Sequence, residues 1–82
     1  MDATYTSAVP VAEPAWFTRL KAEEAELSDR LAKLRGFLST PGATGNLSQH
    51  QRDLLRLQEY AMHTYLTVLH MRLADAGEAG HG

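Results

Sequence analysis

The stretch that most constrains the fold runs from Leu54 to Leu73 and reads LLRLQEYAMHTYLTVLHMRL. At about 100° per residue, its apolar side chains fall on two adjoining stripes that together cover about half of a helix circumference. The first stripe comprises Leu54, Leu57, Ala61, Tyr65 and Val68, and the second comprises Leu55, Met62, Leu66, Leu69 and Leu73. An ordinary surface helix shows an apolar stripe of roughly 100°. This stretch therefore predicts a helix with more apolar surface than one partner helix can cover.

A narrower apolar stripe precedes that stretch and predicts a second helix. Pro14 suits the first turn of a helix, where its missing N–H is not needed. Apolar residues then recur with three- and four-residue steps, as in a coiled coil. They are Phe17, Leu20, Leu27, Leu31, Leu34 and Leu38. Glu24 interrupts this stripe, and Glu26 with Arg30 forms a favourable pair one helical turn apart.

Proline and two glycines between Ser39 and Asn46 mark the clearest break in the chain. Ser48 and Gln51 then match a capping box, so the second helix should begin near Ser48. Because the loop is short, we expect the helices to lie antiparallel. We predict an all-α fold, an antiparallel two-helix hairpin. Its expected parts are a flexible N-terminal arm (1–13), a hairpin (14–75) with helix one at about 14–39, loop 40–47 and helix two at about 48–74, and a disordered tail (76–82).

Folding this hairpin about Ala43 predicts which residues of the two helices are neighbours. The expected neighbours are Leu31 with Leu57, Glu24 with Tyr65, and Phe17 with Arg72. This register places the first apolar stripe against helix one. It leaves the second stripe, which includes Leu66 and Leu69, to contact other subunits.

The length of the chain favours assembly into an oligomer. An 82-residue chain can form one small domain, and such domains generally need disulfides, metal or oligomerisation for stability. The sequence contains no cysteine, which excludes disulfides and thiolate metal sites. Together with the wide apolar surface, this predicts that the hairpins assemble into a homo-oligomeric helical bundle.

Net charge and hydropathy indicate which classes of partner and which cellular location to expect. The formal net charge of −2 argues against a DNA or RNA partner, because nucleic-acid-binding domains are more often basic. No apolar run approaches the ~20 residues of a membrane span. The N-terminus lacks a basic region followed by an apolar region, so no signal peptide is expected. These features predict a cytoplasmic protein that binds no membrane.

The sequence offers no recognisable catalytic or metal site. His63 and His70 are seven positions apart, whereas a zinc site needs three or four ligands, commonly spaced three or four residues apart on a helix. We interpret both as solvated histidines on a face opposite the apolar surface, shared with the solubilising residues Arg52 and Arg56. No serine is spaced for a catalytic triad, and no phosphate-binding glycine loop occurs. We therefore expect no enzymatic activity and no cofactor.

Polar groups within the predicted apolar surfaces require partners, because a buried unpaired charge costs several kcal/mol. They are Glu24, Gln58, Tyr65 and Arg72. One interpretation is a structural network in which Glu24 pairs with Arg72, Tyr65 donates to either, and Gln58 fixes the register. The other is a ligand pocket, in which arginine binds a phosphate and aromatic rings stack on a base. Trp16 and Phe17 should lie near the Arg72 end, which suits a pocket.

The two helical segments resemble a widespread family of small phage-encoded hairpin proteins. Its first helix follows the pattern R-[VL]-x-x-E-x-x-E-L and then K-L-x-x-F-L. Its second helix follows L-x-x-Q-x-x-A-M-x-x-Y-x-x-x-L-x-x-R-[LI]. The matching positions are Arg19, Glu23, Glu26, Leu27, Lys33, Leu34, Phe37 and Leu38, then Leu55, Gln58, Ala61, Met62, Tyr65, Leu69, Arg72 and Leu73. The resemblance covers both helices and neither tail.

That resemblance implies a binding function. Similar small oligomeric phage proteins act as sponges that sequester nucleotide messengers of bacterial immunity. Cyclic dinucleotides and cyclic ADP-ribose products, the signals of CBASS and Thoeris defence, are examples. The resemblance also adds weight to a pocket between subunits built from Arg19, Tyr65 and Arg72. The glycine-rich loop Ser39–Asn46 and the Trp16–Phe17 pair depart from the family pattern.

Two hypotheses about function follow from the sequence. The first is a non-enzymatic sponge in an infected bacterial cell, which holds a nucleotide-derived signal at the interfaces of a homo-oligomer. Its expected ligand-binding residues are Arg72, Tyr65, Arg19, Trp16, Phe17, Gln58 and Glu24. The second is a helical protein-interaction or scaffolding module, whose apolar face binds another protein and no small molecule.

Overall fold

A computed structural model of the chain describes residues 13–81. Helix α1 runs Ala15–Ser39 and helix α2 runs Gln49–His81, and the two helices pack against each other as a hairpin. The all-α hairpin predicted from the sequence is therefore confirmed. Apart from Glu13, the predicted N-terminal arm lies outside the described residues.

A small cluster of polar contacts holds the beginning of α1. The backbone carbonyl of Pro14 accepts hydrogen bonds from the backbone N–H groups of Phe17, at 3.0 Å, and Thr18, at 3.1 Å. The Glu13 carboxylate accepts from Lys21 Nζ at 2.8 Å and from the Thr18 hydroxyl at 3.0 Å. The bond from Lys21, and after it the bond from Thr18, lowers the pKa of Glu13. This carboxylate therefore fixes the entry of the chain into α1.

A glycine turn and hydrogen bonds from α2 hold the loop between the two helices in place. Gly42 has a φ of +80°, a backbone conformation that residues with a Cβ rarely adopt. Arg52 then reaches back from α2, and its Nη1 donates to the carbonyls of Leu47, at 2.7 Å, and Thr44, at 3.3 Å. Arg52 is half-buried, so its expected role as a solubilising residue is wrong. It fastens the loop to α2.

The beginning of α2 follows the sequence prediction, and its end does not. Ser48 N–H donates to Gln51 Oε1 at 2.9 Å, and Gln51 N–H donates to Ser48 Oγ at 3.1 Å, which confirms the capping box. The helix continues to His81, beyond the predicted end near Ala74, so the expected disordered tail is wrong up to that residue. Glycine in a helix costs roughly 1 kcal/mol, but unlike proline it keeps its backbone donor.

The core between the helices uses the second apolar stripe of α2. Leu69 is fully buried, and it packs in a cluster with the buried Leu20 and Leu27 of α1. Phe17, Met62, Leu66 and Leu73 pack against this cluster. The prediction that this stripe faces other subunits is therefore wrong. The second stripe consists wholly of leucine and methionine, whereas the first includes alanine and tyrosine, so the second buries more aliphatic surface against α1.

The first apolar stripe of α2 stays exposed in the hairpin. Leu54 is 50% exposed, Leu57 64%, Tyr65 43% and Val68 43%. The helix therefore carries more apolar surface than α1 covers, as its sequence predicts. Within residues 13–81, neither helix is long and apolar enough to cross a membrane.

Candidate ligand-binding face

The exposed apolar stripe of α2 continues into a group of charged and aromatic side chains on α1. We call this long side of the hairpin the tyrosine face. It comprises Arg19 and Glu23 of α1 with Leu54, Leu57, Ala61, Tyr65, Val68 and Arg72 of α2. A hydrogen bond from the Tyr65 hydroxyl to Glu23 Oε2 joins the two helices at its centre. Arg19 lies one turn from Glu23, and Arg72 lies two turns from Tyr65, both towards the open end of the hairpin.

The Tyr65–Glu23 bond determines the state of the phenol. The carboxylate accepts the phenolic hydrogen, and this bond is the main cause that raises the pKa of Tyr65 above its usual value. Desolvation acts in the same direction, while the positive charge of Arg72 opposes it. The result is a protonated hydroxyl held in place, with nearly half of the side chain still accessible.

Two cations on the tyrosine face are available to an anion. Arg19 and Arg72 are both exposed. Within residues 13–77, whose side chains the structure describes, neither guanidinium has a hydrogen bond or an ion pair to another side chain. Guanidinium groups bind phosphate through two parallel N–H donors. With Glu23 engaged by Tyr65, the open end of this face favours anions.

The two predicted aromatic residues have different environments. Trp16 is 51% exposed, and its ring meets that of Phe17 edge-on at 5.6 Å between centroids, with an interplanar angle of 70°. Phe17 packs against the leucine core, and Lys21 Nζ lies 5.2 Å from its ring centroid. Phe17 is thus already used in packing. Trp16 is the aromatic ring that this end of α1 presents to solvent.

The structural network predicted from the sequence gives Glu24 the wrong partner. Glu24 Oε2 lies 2.9 Å from His70 Nε2, whereas the network paired it with Arg72. Adjacent residues of a helix point about 100° apart, so Glu23 and Glu24 lie on opposite sides of the contact line between the helices. Gln58 is exposed, and its Nε2 lies 3.8 Å from Met62 Sδ on its own helix. It makes no bond to α1 among the described side chains.

The opposite long side of the hairpin, which we call the histidine edge, was not anticipated from the sequence. Arg35 Nε donates to Glu59 Oε2 at 3.1 Å, and Arg35 Nη2 lies 3.1 Å from His63 Nδ1. His63 and His70 are exposed, as expected, but both also contact α1. The pairs Arg35–Glu59 and Glu24–His70 share one antiparallel register. Matching residues that can form ion pairs between the two helices would have identified this register from the sequence.

No cluster on either face suits a metal. Within the described residues, no group of three or more histidine, aspartate or glutamate side chains could hold a metal ion. The side chains of the tyrosine face offer hydrogen bonding, ion pairing and stacking.

The fold and these side chains define a small helical hairpin with one mixed face, which is apolar along its length, has Tyr65 at its centre and has two arginines at its open end. The chain belongs to the Sequestin family, whose family model matches residues 14–75. The matched region contains all of α1 and the part of α2 whose residues belong to the packed core. No curated protein and no solved structure matches the chain.

Proposed function

We propose that this protein is a sponge that binds a nucleotide-derived immune signal and holds it without cleaving it. The family to which the chain belongs is named for sequestration, which supports binding rather than catalysis. The observation that carries the proposal is the tyrosine face, where Tyr65 is fixed by Glu23 beside two exposed arginines. The proposed ligands are cyclic ADP-ribose, a related ADP-ribose product or a cyclic dinucleotide.

Each group on the tyrosine face suits a part of such a ligand. Arg19 and Arg72 would bind the phosphates, since guanidinium and phosphate geometries match in pairs of hydrogen bonds. Tyr65 of this face offers an accessible ring on which a base can stack, and so does Trp16, which is exposed on α1 three residues before Arg19. Such a contact is generally worth about 1–3 kcal/mol. Because the phenol of Tyr65 is already held by Glu23, little of its freedom remains to be lost on binding.

A second hairpin would complete the site. The exposed leucines and valine of the first stripe form an apolar surface along the same face as Arg19 and Arg72. Covering that surface with another copy would remove it from water and would also exclude water from the arginines. Electrostatic attraction to a phosphate is stronger in such a partly dry environment. We therefore place the ligand at an interface between subunits of a homo-oligomer.

The mechanism is mass action in the cytoplasm of an infected bacterial cell. Each bound messenger is withdrawn from the free pool, so the host effector stays below its activation threshold. Such a protein must bind tightly because the messenger is scarce, and a nanomolar Kd corresponds to about 12 kcal/mol. No bond in the messenger is broken, so denaturation should release it unchanged.

The direct test is recovery of an intact ligand. Purified protein is mixed in turn with cyclic ADP-ribose and with cyclic GMP–AMP, separated from free nucleotide by filtration, and then denatured. A sponge retains one of these nucleotides and returns it with unchanged mass and ultraviolet spectrum. Recovery of a new product would instead identify an enzyme, and failure to retain any nucleotide of these classes would contradict the proposal.

One observation favours a second function, a protein-interaction module. The exposed stripe of α2 is long and continuous, and helix-binding partners commonly recognise such a stripe. In that case Arg72→Ala would leave partner binding nearly intact, while a charge placed at Leu54 would abolish it. A sponge predicts a strong effect of Arg72→Ala on nucleotide retention.

A further inference from the structure

A groove lies on the histidine edge, away from the tyrosine face. It has a volume of about 480 Å³ and is lined by Arg35, Gly36, Leu38, Ser39, Arg56 and Glu59. A smaller hollow of about 160 Å³ adjoins it, sharing both arginines and Glu59 and adding Tyr60 and His63. We call the two together the arginine groove. The first volume is within the range of small-molecule sites, roughly 300–1,000 Å³.

Gly36 leaves part of the groove wall without a side chain. A Cβ added at Gly36 would have no atom within 4 Å, so the space above this position is empty. The Ser39 hydroxyl donates to the Gly36 carbonyl at 3.2 Å, which keeps that side chain against its own helix. A ligand can therefore approach the α1 backbone between the two arginines.

Arg35 lines the groove, and its hydrogen bonds to described residues leave several of its donors unused. Its Nε donates to Glu59 and its Nη2 to His63 Nδ1. Guanidinium has five N–H donors and no acceptor, so three remain available. The same contact requires His63 Nδ1 to accept, which assigns its proton to Nε2 and makes His63 a further donor.

The balance of charge in the groove is positive. Within residues 13–77, Arg56 has no hydrogen bond or ion pair with another side chain, and Glu59 is engaged by Arg35. Two guanidinium groups from two helices thus face one engaged carboxylate. Tyr60, which is 71% exposed, borders the smaller hollow with its ring accessible.

We propose that the arginine groove is a second anion site that binds the phosphate group of a phosphorylated metabolite. Arg35 and Arg56 bind the phosphate from opposite helices. Glu59 holds Arg35 in its orientation. This site is independent of the tyrosine face, so its ligand and the sequestered messenger occupy different sides of the hairpin.

The test is a titration of the full chain with inorganic pyrophosphate, followed by ¹H–¹⁵N NMR. The wild type should show saturable shifts at the backbone amides of Gly36, Ser39 and Arg56. Arg56→Gln should weaken binding about tenfold, as expected for the loss of a charge-assisted hydrogen bond. Arg30→Gln is the matched control, because Arg30 is an exposed arginine of α1 on the tyrosine side, paired with Glu26 at 3.8 Å.

A second variant keeps the test decisive even if Arg56→Gln lowers stability. Gly36→Gln fills the groove from its wall, and replacing a helical glycine should raise the stability of α1. It should therefore weaken pyrophosphate binding while raising the melting temperature. Unsaturable shifts, or wild-type affinity in both variants, would overturn the inference. Shifts centred on Tyr65 and lost in Arg72→Gln would also overturn it, while leaving the proposed function intact.

Discussion

At the scale of single residues, the Tyr65–Glu23 hydrogen bond links the two helices and also sets the chemistry of the tyrosine face. The bond forms only while the phenol carries its proton. The pKa of Tyr65 is raised in the folded protein, so the folded state holds this proton more strongly than the unfolded chain does. The stabilisation is fully present below the unfolded pKa of about 10. It is lost as the pH rises through the folded pKa.

This linkage predicts an alkaline loss of stability that depends on Glu23. In a Tyr5→Phe, Tyr60→Phe background, tyrosinate absorbance should show Tyr65 ionising at higher pH than free tyrosine. Glu23→Gln should move that titration down towards the value of free tyrosine, because the anionic acceptor is gone. Glu26→Gln, which removes a carboxylate one turn away, should shift it much less. Equal titrations in all three proteins would contradict the hydrogen bond.

Arg72 should affect binding without affecting stability. It is exposed, and Glu24 has His70 as its partner, so removing Arg72 leaves no buried carboxylate unpaired. Arg72→Ala should abolish nucleotide retention while changing the free energy of unfolding by less than about 0.5 kcal/mol. Arg72→Lys should also bind weakly, because lysine lacks the planar fork. Calorimetry and thermal melting measure the two effects, and a large loss of stability would make Arg72 structural.

At the scale of elements, helix boundaries that depend on local signals could be predicted from the sequence. Pro14 stands just before the first residue of α1, and the Ser48–Gln51 capping box forms as its spacing predicts. The end of α2 was predicted too early, because glycine lowers helix propensity without stopping hydrogen bonding. Local chemistry thus located three of the four helix ends.

The side of α2 that faces α1 could not be read from periodicity alone. Both adjoining stripes recur with the helical period, and rotating the helix by a fraction of a turn exchanges them. The polar contacts that accompany the observed orientation connect distant residues, Arg35 with Glu59 and Glu24 with His70. Consequently the sequence identified Arg19, Tyr65 and Arg72 as exceptional polar residues and missed the groove formed by Arg35 and Arg56.

The revised orientation predicts which residue of α2 stabilises the hairpin. Leu69 has 0% exposure, so Leu69→Ala should create a cavity and cost roughly 2–5 kcal/mol. Met71→Ala is the control, because Met71 is 66% exposed and should change stability by less than about 0.5 kcal/mol. Urea unfolding at one fixed protein concentration gives both values. Similar losses in the two variants would show that α2 is rotated.

At the scale of the whole molecule, the hairpin buries only a small core and leaves a second apolar surface in solvent. Two helices of this size have few fully buried side chains, namely Leu31 and Leu69 among those described. Domains this small generally gain stability by assembling. Among the described residues, the tyrosine face offers a continuous apolar surface for such contacts, and its polar groups would become enclosed with it.

Assembly through the tyrosine face predicts the outcome of two charge substitutions. Sedimentation equilibrium at micromolar concentration should give the wild type as a multiple of the 9.1 kDa chain. Leu54→Glu should produce monomers that keep their helical circular dichroism, because the new charge would be unpaired at the interface but solvated in the single hairpin. Tyr60→Glu, on the outer side of α2, should remain assembled. If the wild type were monomeric, or if Tyr60→Glu dissociated the assembly and Leu54→Glu did not, the subunits would not meet through this face, and the ligand site would have to be complete within one hairpin.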